Sequence, residues 1–167
     1  MTKSSRARSA RPTSPPVSDY AVVETILSYW SAQDVELTLS LVSEDVIHQL
    51  YVCGSTQPCR AEIVGREALA WMMYNKLADF DYLRFDPVIL EVRNGVARVH
   101  ARYAIRHRAT GEDLAGSKRF VCTLQGGLIT RIHEYQDGPM VEAFKKLTRS
   151  RLAELSQAPM PSKLVKP

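Results

Sequence analysis

The sequence predicts an α+β domain in which helices are segregated from an antiparallel sheet. Apolar residues recur at helical spacing near the start of the chain and again before residue 80, whereas later segments alternate between apolar and polar residues as strands do. Two short turns, Asn94-Gly95 and Gly126-Gly127, interrupt the alternating segments where hairpins would reverse the chain.

The first helix is predicted to begin at Ser18 or Asp19, since either side chain can cap it. Its apolar positions are Val22, Val23, Ile26, Leu27 and Trp30. Asp34 starts a second, shorter helix, and residues 45–52 (DVIHQLYV) are predicted to form a strand. Residues 53–65 are rich in turn formers and are predicted to be a loop, before a third helix over 66–80.

Four strands are predicted to follow as three consecutive hairpins. The Asn94-Gly95 turn joins the first pair, residues 109–111 end the second strand, and Gly126-Gly127 joins the last pair. Gly138-Pro139 then opens a helix that is predicted to run over about 140–154, because proline is tolerated in a first helical turn.

The length of 167 residues suits one domain with its own core, and the composition is 45% hydrophobic and 24% charged, as in ordinary globular proteins. No apolar run approaches the roughly 18 residues of a membrane-spanning helix, and the start lacks an apolar signal segment. A cytoplasmic protein without membrane contact is therefore predicted, although the Ser/Arg-rich, acid-free start leaves a transit peptide open. We expect a basic disordered tail over 1–18, a domain over 19–156 and a flexible tail over 157–167.

The cysteines Cys53, Cys59 and Cys122 are odd in number and have no metal-type spacing, so reduced thiols and no metal or cofactor are expected. A Cys53–Cys59 bridge stays open because both lie in one predicted loop. Charge is concentrated at the ends. Residues 19–144 contain 12 basic and 17 acidic residues, so nucleic acid is not expected as a partner.

The predicted turns fix which side chains share a face of the sheet. Counting outward from Gly126-Gly127 pairs Arg119 with Glu134, and a three-residue loop at 109–111 puts Ala101 opposite Arg119. A slip at either turn would break this ion pair. The face expected to meet the helices contains Val88, Leu90, Val92, Val99, Ala101, Tyr103, Ile105, His107, Arg119, Val121, Ile132 and Glu134. The opposite face contains His100, Arg102, Arg106, Arg108, Phe120, Cys122, Arg131, His133 and Tyr135.

This order of elements resembles the NTF2-like superfamily, in particular its SnoaL-like and ketosteroid-isomerase-like branch, over about residues 19–148. The resemblance rests on VSEDVIHQL, IVGREAL, TGEDLAGSKRFV and LQGGLITRIHEYQD. It implies a curved antiparallel sheet wrapped around the N-terminal helices, a cystatin-like α+β cone with a C-terminal helix and a deep, mostly apolar pocket. Family members include isomerases, polyketide cyclases, limonene-epoxide hydrolases, dehydratases and non-enzymatic domains.

The residues of two family mechanisms are absent. The base carboxylate of ketosteroid isomerases corresponds to Gln49, and their oxyanion-binding Tyr and acid fall near Ile26 and Arg119, which argues against steroid isomerisation. In the limonene-epoxide hydrolase pattern, only the carboxylate at Glu134 survives. The other positions of that pattern hold Tyr103, Ala101, His48 and Leu50.

Glu134, with His48 and Tyr103, is the predicted catalytic set for acid/base chemistry without a metal, of isomerase, cyclase or lyase type. Arg119 is predicted to bind a polar group of the ligand, although Glu134–Arg119 fits a structural ion pair equally well. A paired carboxylate would be a weak base. The remaining predicted ligand contacts are Trp30, Leu50, Leu90, Val99, Ala101, Val121 and Ile132.

Two functions are consistent with these residues. The first is a domain that binds a small, largely apolar or carbonyl-containing molecule and carries out acid/base chemistry on it. The second is a non-catalytic dimeric binding or assembly module. The half-apolar outer sheet face predicts a homodimer interface in either case.

Overall fold

The computed structural model describes residues 18–53 and 59–157, and for Cys53, Cys59 and Arg60 it describes the backbone alone. The proposed Cys53–Cys59 bridge and nearly all of the two predicted tails lie outside the described part and stay predictions. Among the described helices, none is long and apolar enough to cross a membrane.

The helices begin where the sequence places capping residues. Helix α1 (Asp19–Ser31) follows Ser18, and α2 (Val35–Ser40) follows Asp34, and each cap accepts a hydrogen bond from the first helical turn. The third helix, α3 (Arg66–Asp79), and the C-terminal helix, α4 (Gly138–Gln157), confirm the two later predictions, and α4 is longer than predicted.

Six strands form one mixed sheet in the order β2-β1-β6-β5-β4-β3. They are β1 (Val42–Cys53), β2 (Cys59–Val64), β3 (Phe80–Arg93), β4 (Val96–His107), β5 (Asp113–Gln125) and β6 (Leu128–Asp137). The sheet is not wholly antiparallel as predicted, because β1 and β6 are parallel. The chain reverses three times from β3 to β6, and this brings β6 back beside β1 in the same direction.

The segment 59–64 corrects the prediction of a loop over 53–65. It forms the edge strand β2 and pairs antiparallel with β1, with Ile63 opposite His48. The loop prediction came from turn formers that are concentrated in residues 54–58, outside the described part.

Both predicted two-residue turns are confirmed, with positive φ at Asn94, Gly95, Gly126 and Gly127. The pairs nearest each turn also match the prediction. Farther out, strand irregularities shift the register. Leu90 is left between the pairs of Ile89 and Glu91, and Thr130 is left between those of Ile129 and Arg131.

The connection between β4 and β5 also differs from the prediction. The N–H of His107 donates to the carbonyl of Glu112 at 2.9 Å, so four residues rather than three form the loop. Ala101 is consequently opposite Lys118. The irregularity at Thr130 places Glu134 opposite Phe120. The predicted Arg119–Glu134 and Ala101–Arg119 pairs are both wrong by one residue.

Two buried clusters occupy the face of the sheet that meets the helices, which we call the concave face. The larger joins α1, α2 and α3 to β1, β4, β5 and β6, and includes Val23, Val42, Val46, Val99 and Ile129. The smaller brings Phe144 of α4 onto Tyr103, Ile105 and Leu114. Helix α4 therefore covers a different part of the concave face from α1 and α3.

Candidate functional site

A cavity of about 110 Å³ lies between α1, α3 and the concave face of the sheet. That is room for several water molecules or a small organic group. Most of its lining is apolar, including Trp30, Met72, Tyr82, Phe85, Val99 and Phe120. Two lysines, one glutamate and one histidine, from three strands and one helix, also line it, namely Lys76, Lys118, Glu134 and His48, which we call the polar cluster.

Glu134 is the centre of the polar cluster and is only 4% exposed. Its Oε1 accepts hydrogen bonds from Lys118 Nζ at 3.0 Å and from Gln136 Nε2 at 2.6 Å. Its Oε2 accepts one from His48 Nε2 at 3.1 Å. This carboxylate is within reach of all three donors. His48 and Lys118 lie on β1 and β5, the strands on either side of β6, and Gln136 lies two residues along β6 itself.

The electrostatic balance keeps Glu134 ionised. Burial raises the pKa of its carboxyl, but Lys118, Lys76 and His48 together outweigh burial and hold that pKa well below its usual value. A carboxylate that is stabilised in this way is a poor proton acceptor at neutral pH. Glu134 is better suited to orient its neighbours than to remove a proton itself.

Lys118 is buried beneath aromatic rings, with Nζ 4.7 Å from the centre of the Tyr103 ring and 5.9 Å from that of Phe120. Burial lowers the pKa of Lys118 more than the attraction of Glu134 raises it. The pKa of Tyr103 is raised, first by burial and then by Glu134. Tyr103 therefore stays a neutral phenol beside the cluster and holds the Lys118 side chain in place.

Lys76 reaches the cavity from α3. Attraction by Glu134 raises the pKa of Lys76 and outweighs burial, so its ammonium is retained at neutral pH. Within residues 18–53 and 59–157, Lys76 makes no hydrogen bond or ion pair at contact distance. Its charge faces the carboxylate from a distance rather than binding it directly.

Only one of the two ring nitrogens of His48 makes a hydrogen bond to the described residues. Because the Glu134 carboxylate can only accept, Nε2 must carry the proton in the bond between them. The other ring nitrogen, Nδ1, is buried and has no hydrogen-bond partner among the residues that the structure describes. Among the described residues, only Nε2 of this ring is therefore engaged in a hydrogen bond.

Five of the predicted site residues line the cavity: Trp30, His48, Val99, Ile132 and Glu134. Tyr103 lies just outside the lining, behind Lys118. Ala101 is fully buried opposite Lys118 but does not line the cavity, and Leu50 is half-buried opposite Glu134 on β1. The roles of these residues in binding or catalysis stay predictions.

Three predicted ligand contacts are elsewhere. Arg119 and Val121 point away from the cavity, because the shifted register turns Lys118, Phe120 and Cys122 inward instead. Leu90 is 64% exposed at the irregularity of β3, and Ile89 packs on the core in its place. Phe120 and Cys122 were predicted for the outer face and are also corrected.

Lys118 and Lys76 are absent from the predicted site residues, although the sequence contains a signal for each. Leu69, Met72, Met73 and Lys76 follow helical spacing on the buried side of α3, so the lysine continues an apolar stripe. Lys118 likewise alternates with Phe120, Cys122 and Leu124 along β5. Together these side chains are bulkier than those on the other side of the strand, which are predicted to point inward.

Cys122 also lines the cavity, and its chemistry can be excluded from the site. Burial, together with the nearby Glu134 charge, raises the pKa of the thiol to about 12. The thiolate is the reactive form of cysteine, so this side chain acts as a packing group.

The outer face of the sheet has an aromatic group of its own. Tyr51 and Tyr135 stack with ring centres 5.0 Å apart, and His133 meets Tyr51 edge-on at 5.7 Å. Arg119 lies over the Tyr135 ring at 5.8 Å. His133 and Tyr135 are on the face that the sequence predicted for them.

No family model and no curated protein matches the chain. Several solved structures, in contrast, do match the chain. A candidate SnoaL-like polyketide cyclase from Mesorhizobium loti is 15% identical with a TM-score of 0.61, over 72% of this chain and 100% of that one. An NTF2-like protein from Burkholderia xenovorans LB400 is 17% identical with a TM-score of 0.59, over 75% of this chain and 93% of that one.

A third structure is a protein with a ketosteroid isomerase-like fold from Catenulispora acidiphila, in complex with trimethylamine. It is 15% identical with a TM-score of 0.56, over 70% of this chain and 85% of that one. At these identities the similarity establishes the fold alone. The chain has the NTF2-like α+β cone fold that SnoaL-like and ketosteroid isomerase-like proteins share, which confirms the fold predicted from the sequence.

Proposed function

We propose that the chain binds a small, largely apolar molecule with a carbonyl or similar oxygen in the cavity, and transfers a proton on it. The observation that carries this proposal is Glu134, a buried carboxylate at an apolar cavity that accepts hydrogen bonds from both His48 and Lys118. The reaction class is that of an isomerase, cyclase or dehydratase. The complex of the Catenulispora protein with a small molecule is consistent with binding in this fold.

Members of the polar cluster have separate roles in the proposed proton transfer. Glu134 orients His48 through Nε2–H, which leaves Nδ1 to take a proton from carbon. Lys118 supplies positive charge where a carbonyl oxygen would gain electron density during enolisation. Tyr103 acts through its ring contact with Lys118, as a positioning residue.

Exchange of carbon-bound hydrogen tests the proposal directly. 2-Indanone in D₂O exchanges the hydrogens next to its carbonyl, and NMR follows the loss of signal. We expect the protein to accelerate this exchange, and His48→Gln to reduce the acceleration by about 100-fold or more. His100→Gln is the matched control, since His100 is opposite Arg119 on the outer face.

Equal acceleration by wild type and His48→Gln would rule out His48 as the proton acceptor. Native mass spectrometry of the purified protein provides an independent readout, because it detects a co-purified small molecule without prior choice of probe. No acceleration together with no bound molecule would overturn the proposed function.

The Tyr51–Tyr135 stack favours a second proposal, that two copies of the chain associate through the outer face of β1 and β6. Aromatic residues and arginine are enriched in protein interfaces. Sedimentation velocity of wild type should give a dimer, and Tyr135→Glu should give a monomer. A wild-type monomer at micromolar concentration would end this proposal and leave ligand binding unaffected.

A further inference from the structure

The polar cluster has more positive than negative charge. Lys76 and Lys118 each contribute one positive charge and Glu134 one negative charge, so the formal total is +1 with His48 counted as neutral. An unbalanced charge beside an apolar cavity is costly, because water is largely replaced by groups that solvate it poorly.

The carboxylate of Glu134 is already engaged on both oxygens. Lys118 and Gln136 donate to Oε1, and His48 donates to Oε2. The Lys76 ammonium lines the cavity with three donor hydrogens and has no direct acceptor among the described residues. The unbalanced charge is therefore on a side chain that a ligand can reach.

We propose that the ligand is a small apolar carboxylic acid, bound as its monoanion with the carboxylate on Lys76 and the apolar part against Trp30 and Tyr82. This inference rests on the proposed function, since it names the class of molecule that the same cavity takes. The excess of one charge matches a monoanion, and a phosphate dianion would leave the site with a net negative charge.

The aromatic lining fits such a ligand. The rings of Trp30 and Tyr82 meet edge-on, with centres 5.6 Å apart, and both line the cavity with Lys76. An aromatic or alicyclic group would gain contact with these rings, while its carboxylate stays at the polar end. The attraction of Glu134, which raises the pKa of Lys76, ensures that the ammonium is charged when the ligand arrives.

Phenylacetate and phenylacetamide form a matched pair of probes, because they share the ring and differ in charge. Their dissociation constants are measured by NMR titration of the full-length protein. We expect phenylacetate to bind at least tenfold more tightly than phenylacetamide. Lys76→Met should remove this preference and leave the affinity for phenylacetamide within about twofold.

Two further variants distinguish the loss of the Lys76 charge from a general effect on folding. Lys76→Arg retains the charge and should retain the preference for phenylacetate. Lys146→Met removes an exposed lysine of α4 and should behave as wild type.

Equal binding of both probes to wild type would overturn the carboxylate assignment and leave the proposed apolar binding intact. A preference for phenylacetate that persists in Lys76→Met would also overturn it. If neither probe bound and the protein did not accelerate the exchange of 2-indanone, the cavity would not be a ligand site.

Discussion

Lys118 and Glu134 form a buried ion pair, with Nζ 3.0 Å from Oε1 and both side chains 5% exposed. The pair crosses from β5 to β6 and brings a lysine, rather than the neighbouring Arg119, to the carboxylate. The one-residue shift between β5 and β6 decides which of two adjacent basic residues is buried. The chemistry of the cavity therefore depends on the irregularity at Thr130.

Substitution of Lys118 should be costly because it leaves a buried carboxylate without its closest cation. We expect Lys118→Met to lower the free energy of unfolding by about 3 kcal/mol. Arg119→Met, at the adjacent exposed position, should change it by less than about 1 kcal/mol. Urea unfolding measures both. A larger loss for Arg119→Met than for Lys118→Met would indicate that the register is the one expected from the turns, in which Arg119 pairs with Glu134.

Stability should fall in acid because of Glu134. Its pKa is lower in the folded chain than the unfolded value of about 4.3, so the unfolded chain binds more protons between the two values. The contribution of Glu134 is complete above the unfolded pKa and is lost as the pH falls towards the folded one. Wild type should therefore lose more free energy of unfolding between pH 6 and pH 3 than Glu134→Gln.

The matched control for this titration is Glu142→Gln, which removes an exposed carboxyl of α4. It should lose as much free energy of unfolding between the two pH values as wild type does. If Glu134→Gln and wild type had the same acid loss, the ion pair with Lys118 would not stabilise the folded chain.

The turns and helices were predictable because their signals are local. Asn94-Gly95 and Ser18 each specify a conformation through the residues themselves, by a preference for positive φ or by capping a helix. Val99 and Ala101 were correctly placed on the concave face, since β4 alternates without interruption.

The site was only partly predictable, because its register depends on packing between distant elements. Nothing in the local sequence marks Leu90 or Thr130 as the residue left out of the pairing, yet each moves the pairing by one position. Glu134 and His48 both line the cavity. Their partner Lys118 was missed because strict counting from Gly126-Gly127 selected Arg119.

Gly116 allows α4 to approach the sheet closely. A Cβ at this position would lie 2.3 Å from Met140 Cε and 3.2 Å from its Sδ. We expect Gly116→Ala to lower the free energy of unfolding by about 1–2 kcal/mol, since the core must shift to accept the extra methyl group. The flexible Met140 side chain keeps the cost moderate.

A double-mutant cycle identifies the cause of this loss. Met140→Ala removes the atoms in closest contact, so Gly116→Ala should cost less in that background than in wild type. Costs that simply add would place the strain in the β5 backbone instead of the contact with α4.

The two tryptophans allow ligand binding to be followed by fluorescence. Trp30 lines the cavity and contacts Tyr82, whereas Trp71 is 71% exposed on α3. In Trp71→Phe, Trp30 is the sole tryptophan, and saturation with phenylacetate should shift its emission because the ligand replaces water around the ring. In Trp30→Phe, the remaining Trp71 should report no change. A shift in Trp30→Phe, with none in Trp71→Phe, would place the bound probe outside the cavity.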